Sequence, residues 1–308
     1  MHLSHNETRE KFTYGSQESA VVRNSKNLKE EYIAFEGHSK NVTMVQHSPV
    51  GQRVLSGDEI GMINVWNSDH PTLLSSIEMQ GLLGAVHDGA FTDDGEKCAF
   101  VGEFHGGKVG KGINVQMKKT DAEITYHAAR CLSCTYKANR PYKLYTASED
   151  NAINISAPVQ YSMSKSLKQH KGFVNCVRAS PDNKLIISAS TDKSLVIWST
   201  ETDEHVKVIE NAHGGSIYSL AWFEDGSKFA SVSADKTVKI WTKEGENVST
   251  LHVAEKPTLD DMQMGVVKLK HCLISLSLSG NLNIWNNDTL AQANVTKPDQ
   301  IVYGHNVT

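Results

Sequence analysis

The 308-residue chain lacks long apolar runs and a recognisable leader segment. No run of apolar residues approaches the ~18 residues that a membrane-spanning helix requires. Residues 1–11 are polar and do not contain the apolar core of a signal peptide. We therefore expect an intracellular, cytoplasmic protein with no membrane partner.

The chain also has few cysteines and no excess of positive charge. The five cysteines are too few and too scattered for a disulfide framework. The formal net charge of −4 provides no global positive field that would draw the chain onto nucleic acid. With 39% apolar and 21% charged residues, the composition is that of a soluble globular protein. We expect no nucleic-acid partner.

An internal repeat is the strongest feature of the sequence. The interval from His170 to Ser188 is 18 residues, followed by 4 residues to Asp192 and 6 to Trp198. The same intervals recur in a second set: His213, Ser231, Asp235 and Trp241. A third copy has Ile60 at the aspartate position but keeps the other three residues at the same offsets: His38, Ser56 and Trp66.

The stretches between these markers predict short β-strands. Polar and apolar residues alternate with period two, and turn signals such as Ser180-Pro181-Asp182-Asn183 separate the segments. The predicted third strands end at intervals of 42, 50, 40, 42, 43 and 44 residues, near Asn24, Trp66, Gln116, Ser156, Trp198, Trp241 and Trp285. A WD blade takes about 40–45 residues. The pattern therefore predicts an all-β, seven-bladed WD40 β-propeller.

Both ends of the repeat are irregular. Before Asn24 there is room for strands only near Phe12–Tyr14 and Ala20–Arg23, so the innermost strand of the first blade is expected to be short or absent. Gln300–Tyr303 reads as an outer strand, and Gly304-His305 resembles the opening of a further repeat. The predicted organisation is an incomplete first blade with its outer strand (1–36), six further WD-type blades (37–303) and the start of a truncated repeat (304–308).

The repeated polar residues have two interpretations. Within one set, the histidine, hydroxyl, aspartate and tryptophan can form a buried hydrogen-bonded tetrad that pins a blade. Serine, histidine and aspartate also serve nucleophilic catalysis, which needs an exposed serine oxygen beside an oxyanion hole. Recurrence once per blade favours scaffolding. We therefore predict structural tetrads and a protein that is not an enzyme; a catalytic propeller that uses its central channel is the disfavoured alternative.

Two local patterns resemble metal and phosphate sites. Cys131 and Cys134 have the spacing of half a zinc site, but they fall in a predicted strand and no second Cys/His pair follows. Gly106–Gly112 resembles a phosphate loop, but His105 stands where the first glycine is required and no helix follows. A flexible loop is the favoured interpretation of the glycine-rich segment. We expect no metal and no cofactor.

Segments outside the repeated positions carry a more specific signal. They are Ser56–Asp58 with Gly61, Arg140–Leu144 with Ser148–Asn151, Phe173–Arg178 with Ser180–Asp182, Leu273–Gly280, and Tyr303–Asn306. In this order the segments resemble the family of actin-interacting protein 1, a WD-repeat partner of ADF/cofilin. Members of that family resemble two propellers in tandem, bind cofilin-decorated actin filaments, and promote filament severing and disassembly.

The resemblance implies partners and a location. It covers the first propeller of the family alone, so the chain is either a fragment or truncated gene product of a two-propeller protein, or a reduced relative. It implies actin filaments and ADF/cofilin as partners, the actin cytoskeleton as the location, and a monomer. The alternative function is a general WD40 scaffold or adaptor in a multiprotein complex, such as a ubiquitin ligase or an RNA-processing assembly.

The family resemblance also implies a binding surface on loops of the third to fifth blades. Transferred by position, the partner-binding residues are Glu103, Glu149, Asp150, Met163 and Phe173. Asp150 also occupies the blade-turn position, so a structural role remains open for it. The segments 102–108 and 158–164 depart from the charged and basic residues of the family at these places.

Overall fold

The computed structural model describes residues 3–6, 10–26, 32–69, 76–137, 140–157 and 161–303. These residues fall into two compact units, Met1–Gln169 and His170–Thr308. Strands dominate both units. Within the described residues, the helical segments are a 3-10 turn at Leu259–Asp261 and the four-residue helix α1 at Asn287–Leu290.

The first unit contains four sheets of four strands, and each sheet pairs its strands antiparallel in chain order. Sheet 1 comprises β1 (Leu3–His5), β2 (Lys11–Ser16), β3 (Ser19–Asn24) and β4 (Ile33–Phe35). Sheet 2 comprises β5 (Val42–His47), β6 (Arg53–Asp58), β7 (Met62–Asn67) and β8 (Ile77–Gln80). Sheet 3 comprises β9 (Val86–Phe91), β10 (Lys97–His105), β11 (Lys108–Asn114) and β12 (Lys119–Ile124). Sheet 4 comprises β13 (Cys131–Lys137), β14 (Lys143–Ser148), β15 (Ile153–Ser156) and β16 (Met163–Leu167).

The second unit contains three sheets. Sheet 5 comprises β17 (Val174–Ala179), β18 (Leu185–Ser190), β19 (Leu195–Ser199) and β20 (His205–Ile209). Sheet 6 comprises β21 (Ile217–Trp222), β22 (Lys228–Ser233), β23 (Thr237–Thr242), β24 (Asn247–His252) and the short parallel β28 (Asn294–Val295). Sheet 7 comprises β25 (Gln263–Lys268), β26 (Cys272–Ser277), β27 (Leu282–Asn286) and β29 (Gln300–Val302).

The seven sheets are the blades of the seven-bladed WD-type β-propeller that the repeat predicts. In the first blade the first strand, β1, is only three residues long. The strand predicted at Gln300–Tyr303 corresponds to β29, which pairs with β27. The further repeat expected at Gly304–His305 lies outside the described residues.

The second strand of a blade is buried on both of its faces. In β22 the residues from Phe229 to Ser233 are all buried. Ala230 and Val232 join an apolar core, whereas Ser231 points to the opposite side and is also fully buried. Period-two alternation here therefore separates two buried faces, one of which carries the tetrad hydroxyl beside the buried Phe229, and not a core from solvent.

The apolar cores lie between successive sheets within each unit. In the first unit one core joins Met44 and Leu55 of sheet 2 to Phe100 and Ile113 of sheet 3. In the second unit, another core joins residues of sheets 5 and 6, including Trp222. Within a unit, adjacent blades thus bury apolar faces against each other, which is the arrangement that repeat proteins require for a continuous core.

The glycine-rich segment is not the flexible loop that its composition predicted. Gly106 and Gly107 form the two-residue turn of a hairpin, in which His105 pairs with Lys108. Their φ angles are +58° and +82°, which only glycine adopts readily and which match the right-handed twist of the flanking strands. The remainder of the segment is strand β11, which ends at Asn114.

Candidate partner-binding surface

The repeated histidine, serine, aspartate and tryptophan meet inside single blades. In sheet 6, His213 Nδ1 lies 2.9 Å from Asp235 Oδ2, and its Nε2 lies 2.7 Å from Ser231 Oγ. Trp241 Nε1 donates to the same hydroxyl at 2.8 Å. Sheet 5 repeats these contacts at 3.2, 2.7 and 2.9 Å, with His170, Asp192, Ser188 and Trp198.

Burial determines which atoms of the sheet 6 tetrad donate a proton in a hydrogen bond and which accept one. It lowers the pKa of His213, an effect that the hydrogen bond to Asp235 only partly offsets. Burial alone would raise the pKa of Asp235, but the hydrogen bonds from His213, Thr237 and the Gly214 N–H outweigh it and lower that pKa. A neutral imidazole therefore donates from Nδ1 to an ionised carboxylate, and its Nε2 accepts the hydroxyl proton of Ser231. Because this hydroxyl is fully buried, it is sealed from any substrate.

Sheet 2 completes its tetrad with an aspartate from another position. His38 Nε2 lies 2.7 Å from Ser56 Oγ, as the repeat predicts. Its Nδ1 lies 3.1 Å from Asp58 Oδ2, although Asp58 stands two residues before the usual position, which Ile60 holds. The other carboxylate oxygen of Asp58 accepts the N–H groups of Ile60 and Met62. Both side chains of the His38–Asp58 pair are completely buried.

Asp150, one of the transferred partner-binding residues, also belongs to a tetrad-like chain. Its Oδ2 lies 2.8 Å from His127 Nδ1, and His127 Nε2 lies 2.9 Å from Thr146 Oγ1. The Ala128 N–H donates to the same carboxylate at 3.1 Å. Burial would raise the pKa of Asp150, but the hydrogen bond from His127 outweighs it and the pKa is lowered. The structural role left open by the sequence thus accounts for the contacts of this carboxylate, whose side chain is 16% exposed.

An ionic cluster connects two other transferred residues, Glu103 and Glu149. Arg130 Nε lies 2.7 Å from Glu149 Oε1, and its Nη1 lies 3.3 Å from Glu103 Oε1. The same oxygen of Glu103 is 3.2 Å from His87 Nε2. Burial lowers the pKa of His87, although Glu103 acts in the opposite direction. We call these four side chains the ionic cluster; they place two acidic residues and one basic residue together on the surface of the first unit.

Arg130 was missed by the sequence analysis, although the repeat contains a signal for it. Alignment of His127 with His170 places Arg130 at the position of Phe173, three residues after the histidine. The structure supports this alignment: the Arg130 carbonyl accepts the N–H of Glu149, and the Phe173 carbonyl accepts the N–H of Thr191 in the same way. The two side chains therefore emerge from equivalent points of successive blades.

The remaining transferred residues are exposed apolar side chains. Met163 begins β16 and is 49% exposed. Phe173 precedes β17 in the second unit and is 46% exposed. Before Met163, Pro158–Gln160 lie outside the described residues, while Tyr161 is buried and its hydroxyl lies 2.7 Å from that of Tyr136. Tyr161 therefore anchors the segment from inside.

Metal sites and membrane-spanning helices are two further classes of feature to consider for the described residues. Among them, no three His, Cys, Asp or Glu side chains are grouped as metal ligands would be. Nor does any helix there have the length and apolar character needed to cross a membrane. The cysteines of the possible half zinc site, Cys131 and Cys134, are both buried in β13 and its core.

Comparison with known proteins agrees with this architecture. The WD40 family profile, "WD domain, G-beta repeat", matches residues 29–75, 161–199 and 204–242. WD repeat-containing protein 1 of Gallus gallus is 34% identical over 297 residues, which is 96% of this chain and 47% of that protein. Actin-interacting protein 1 of Drosophila melanogaster is 32% identical over 301 residues, with the same two coverages.

The chain spans about half the length of the curated relatives that it matches. The similarity extends beyond the three profile matches, since it includes the sheets that carry the ionic cluster. The chain therefore belongs to the WD-repeat family and, over 96% of its length, matches the group of WD repeat-containing protein 1 and actin-interacting protein 1.

Proposed function

We propose that this chain binds actin filaments together with ADF/cofilin and promotes their severing and disassembly. The observation that carries the proposal is similarity over almost the whole chain to proteins named for interaction with actin. The proposed location is the cytoplasm, on the actin cytoskeleton, and the proposed protein is a monomer that acts by binding and not by catalysis.

The proposed contact residues are the ionic cluster and Met163 in the first unit, and Phe173 in the second unit. Glu103 and Arg130 remain 35% and 45% exposed, so a partner can reach both signs of charge. Met163 and Phe173 are exposed apolar side chains, the kind that commonly anchors an interface. Contacts that prefer the cofilin-altered filament would shift the population toward that state, which is a sufficient mechanism for a protein without a catalytic site.

The primary experiment is co-sedimentation of the chain with actin filaments in the presence and absence of cofilin. We expect the chain to pellet with cofilin-decorated filaments and much less with bare filaments. Equal pelleting in both conditions would remove the dependence on cofilin. Absence from both pellets would remove the proposed function itself.

Substitutions with matched controls locate the surface. Met163→Ala and Phe173→Ala should each weaken binding to decorated filaments by about tenfold, the size of an anchor residue. Met117→Ala and Val206→Ala remove side chains that are 66% and 63% exposed, and they should leave binding unchanged. Equal losses in the anchor and control variants would contradict the proposed surface.

Severing is measured separately, by counting breaks in single cofilin-decorated filaments under the microscope. We expect the chain to increase the break frequency, and we expect Phe173→Ala to reduce that increase in proportion to binding. Binding without any increase in breaks would keep the partner assignment and refute severing by this chain.

A further inference from the structure

A cleft lies between sheets 2 and 3 of the first unit, next to the ionic cluster. Its volume is about 420 Å³, within the ~300–1,000 Å³ that is usual for ligand sites. One wall is the segment after β8, and the other is the β10–β11 hairpin with the adjoining strand β12. The lining includes Leu82, Leu83, Glu103, Lys108, Lys111 and Glu123.

The walls of the cleft are held by backbone contacts. Gly81 packs so closely on sheets 2 and 3 that a Cβ there would lie 2.6 Å from Ile63 and 2.7 Å from Phe100. The N–H groups of Gly81 and Leu82 both donate to the Gly61 carbonyl. The opposite wall is the hairpin closed by the Gly106–Gly107 turn. A site built in this way needs little ordering when it binds a ligand.

The acidic side chains along the cleft have basic partners, but one of the lysines has no acidic partner among the described residues. Glu123 lies 2.9 Å from Lys108 Nζ, and Glu103 is held by the ionic cluster. Lys111 has no ion pair in the described part of the chain; its Nζ contacts only the Gln80 carbonyl, at 3.5 Å. The cleft therefore offers one cation that lacks a carboxylate partner.

An apolar surface adjoins this cation. Leu83 is 64% exposed at the edge of the cleft, and the buried Leu82 also contributes to the lining. An occupant that satisfies both features combines a carboxylate with an apolar group. In a protein partner, that combination is an acidic residue next to an aliphatic or aromatic one.

We infer that the cleft binds an acidic–apolar peptide segment of the cofilin-decorated filament, with its carboxylate on Lys111 and its apolar side chain on Leu83. The inference rests on the proposed function and adds a second contact to it, beyond the residues transferred by resemblance. Charge complementarity favours a peptide carboxylate here, because Glu103 and Glu123 of the lining each already have a basic partner.

The test compares charge reversals in the co-sedimentation assay with decorated filaments. Lys111→Glu should weaken binding about tenfold, since it places like charges opposite each other. Lys119→Glu makes the same net-charge change on the exposed edge of sheet 3 and should bind like the unmodified chain. Lys111→Arg keeps the charge and should retain binding. Leu83→Asp should also weaken binding. Because the Leu83 side chain is exposed, this substitution should not disturb folding.

The outcomes separate this inference from the proposed function. If the unmodified chain fails to pellet with decorated filaments, both fall together. If it pellets and Lys111→Glu and Leu83→Asp bind like it, only the cleft assignment is overturned. Equal weakening by Lys111→Glu and Lys119→Glu would also overturn it, because net charge alone would then explain the effect. If the melting temperature shows that Lys111→Glu does not fold, the binding of Leu83→Asp decides whether the cleft assignment stands.

Discussion

Arg130 Nε lies 2.7 Å from Glu149 Oε1. Arg130 occupies the same repeat position in its blade that Phe173 occupies in the next blade. The same guanidinium reaches Glu103 in the preceding sheet, so one side chain joins two blades. The ionic cluster therefore has a defined charge pattern, in which both glutamates face the Arg130 guanidinium. A partner must either match this pattern or displace Arg130 from it.

The Arg130–Glu149 pair should contribute little to stability. Arg130 is 45% exposed, and partly exposed ion pairs are worth about 1 kcal/mol or less. We expect a double-mutant cycle of Arg130→Ala and Glu149→Ala, measured by urea unfolding, to give a coupling energy in that range. The more exposed Lys108–Glu123 pair is the control and should give a smaller value. A coupling energy well above 2 kcal/mol would mean that the pair is structural.

Loss of a tetrad carboxylate should destabilise the fold. Asp235→Ala leaves His213 Nδ1 and the Gly214 N–H without their acceptor. A buried group that loses its partner costs about 1–3 kcal/mol, so the melting temperature should fall by several degrees. Asp260→Ala, at an exposed aspartate of the same unit, is the control. An unchanged melting temperature for Asp235→Ala would refute the scaffolding role.

Asp58 should matter as much as Asp235, despite its unusual position. Asp58→Ala removes the acceptor of His38 and of two backbone N–H groups in a completely buried site. We expect a loss of about 3 kcal/mol in the free energy of unfolding. Adding Ile60→Asp in the Asp58→Ala background tests whether an aspartate at the usual repeat position can replace it. Recovery of stability would show that the tetrad depends on the carboxylate and not on its place in the chain.

Tyr161 and Gly112 should be strongly coupled. A Cβ at Gly112 would lie 2.1 Å from Cζ of the Tyr161 ring, so Gly112→Ala should cost about 1–3 kcal/mol by overpacking. In the Tyr161→Ala background the space is free, and the same substitution should cost almost nothing. Calorimetric melting of the four proteins measures the difference. Equal costs in both backgrounds would contradict the packing of this ring against sheet 3.

Acidification should destabilise the protein in two stages. Burial lowers the pKa of His38, His47 and His213, so the unfolded chain takes up protons below about pH 6.5 before the folded chain does. Since the unfolded state binds more protons, the free energy of unfolding falls as the pH falls from 7 to 5.

A second stage should follow below about pH 4, where unfolded carboxyl groups protonate. Asp192 and Asp235 have lowered pKa values in the fold, because hydrogen bonds to their ionised forms outweigh burial. Urea unfolding across this pH range measures both stages. His213→Gln should flatten the first stage, and an unchanged slope would contradict the neutral, buried state of His213.

The sequence by itself determined the blades and their tetrads. The reason is physical: a tetrad spans about thirty residues inside one sheet, so its members recur at intervals that antiparallel pairing and tight turns dictate. The His170 and His213 sets could be read directly from these intervals. The glycine-rich segment was misread because composition alone does not distinguish a flexible loop from a two-residue hairpin turn.

Only the tertiary structure decided which aspartate completes the tetrad of sheet 2 and which side chains meet across blades. Asp58 replaces the missing aspartate of its tetrad because its carboxylate reaches His38 from two residues earlier, which no fixed spacing predicts. Arg130 joins Glu103 and Glu149, and the cleft beside Lys111 exists because two separate sheets approach there. Such contacts depend on the packing of one blade against the next, and local periodicity carries no information about it.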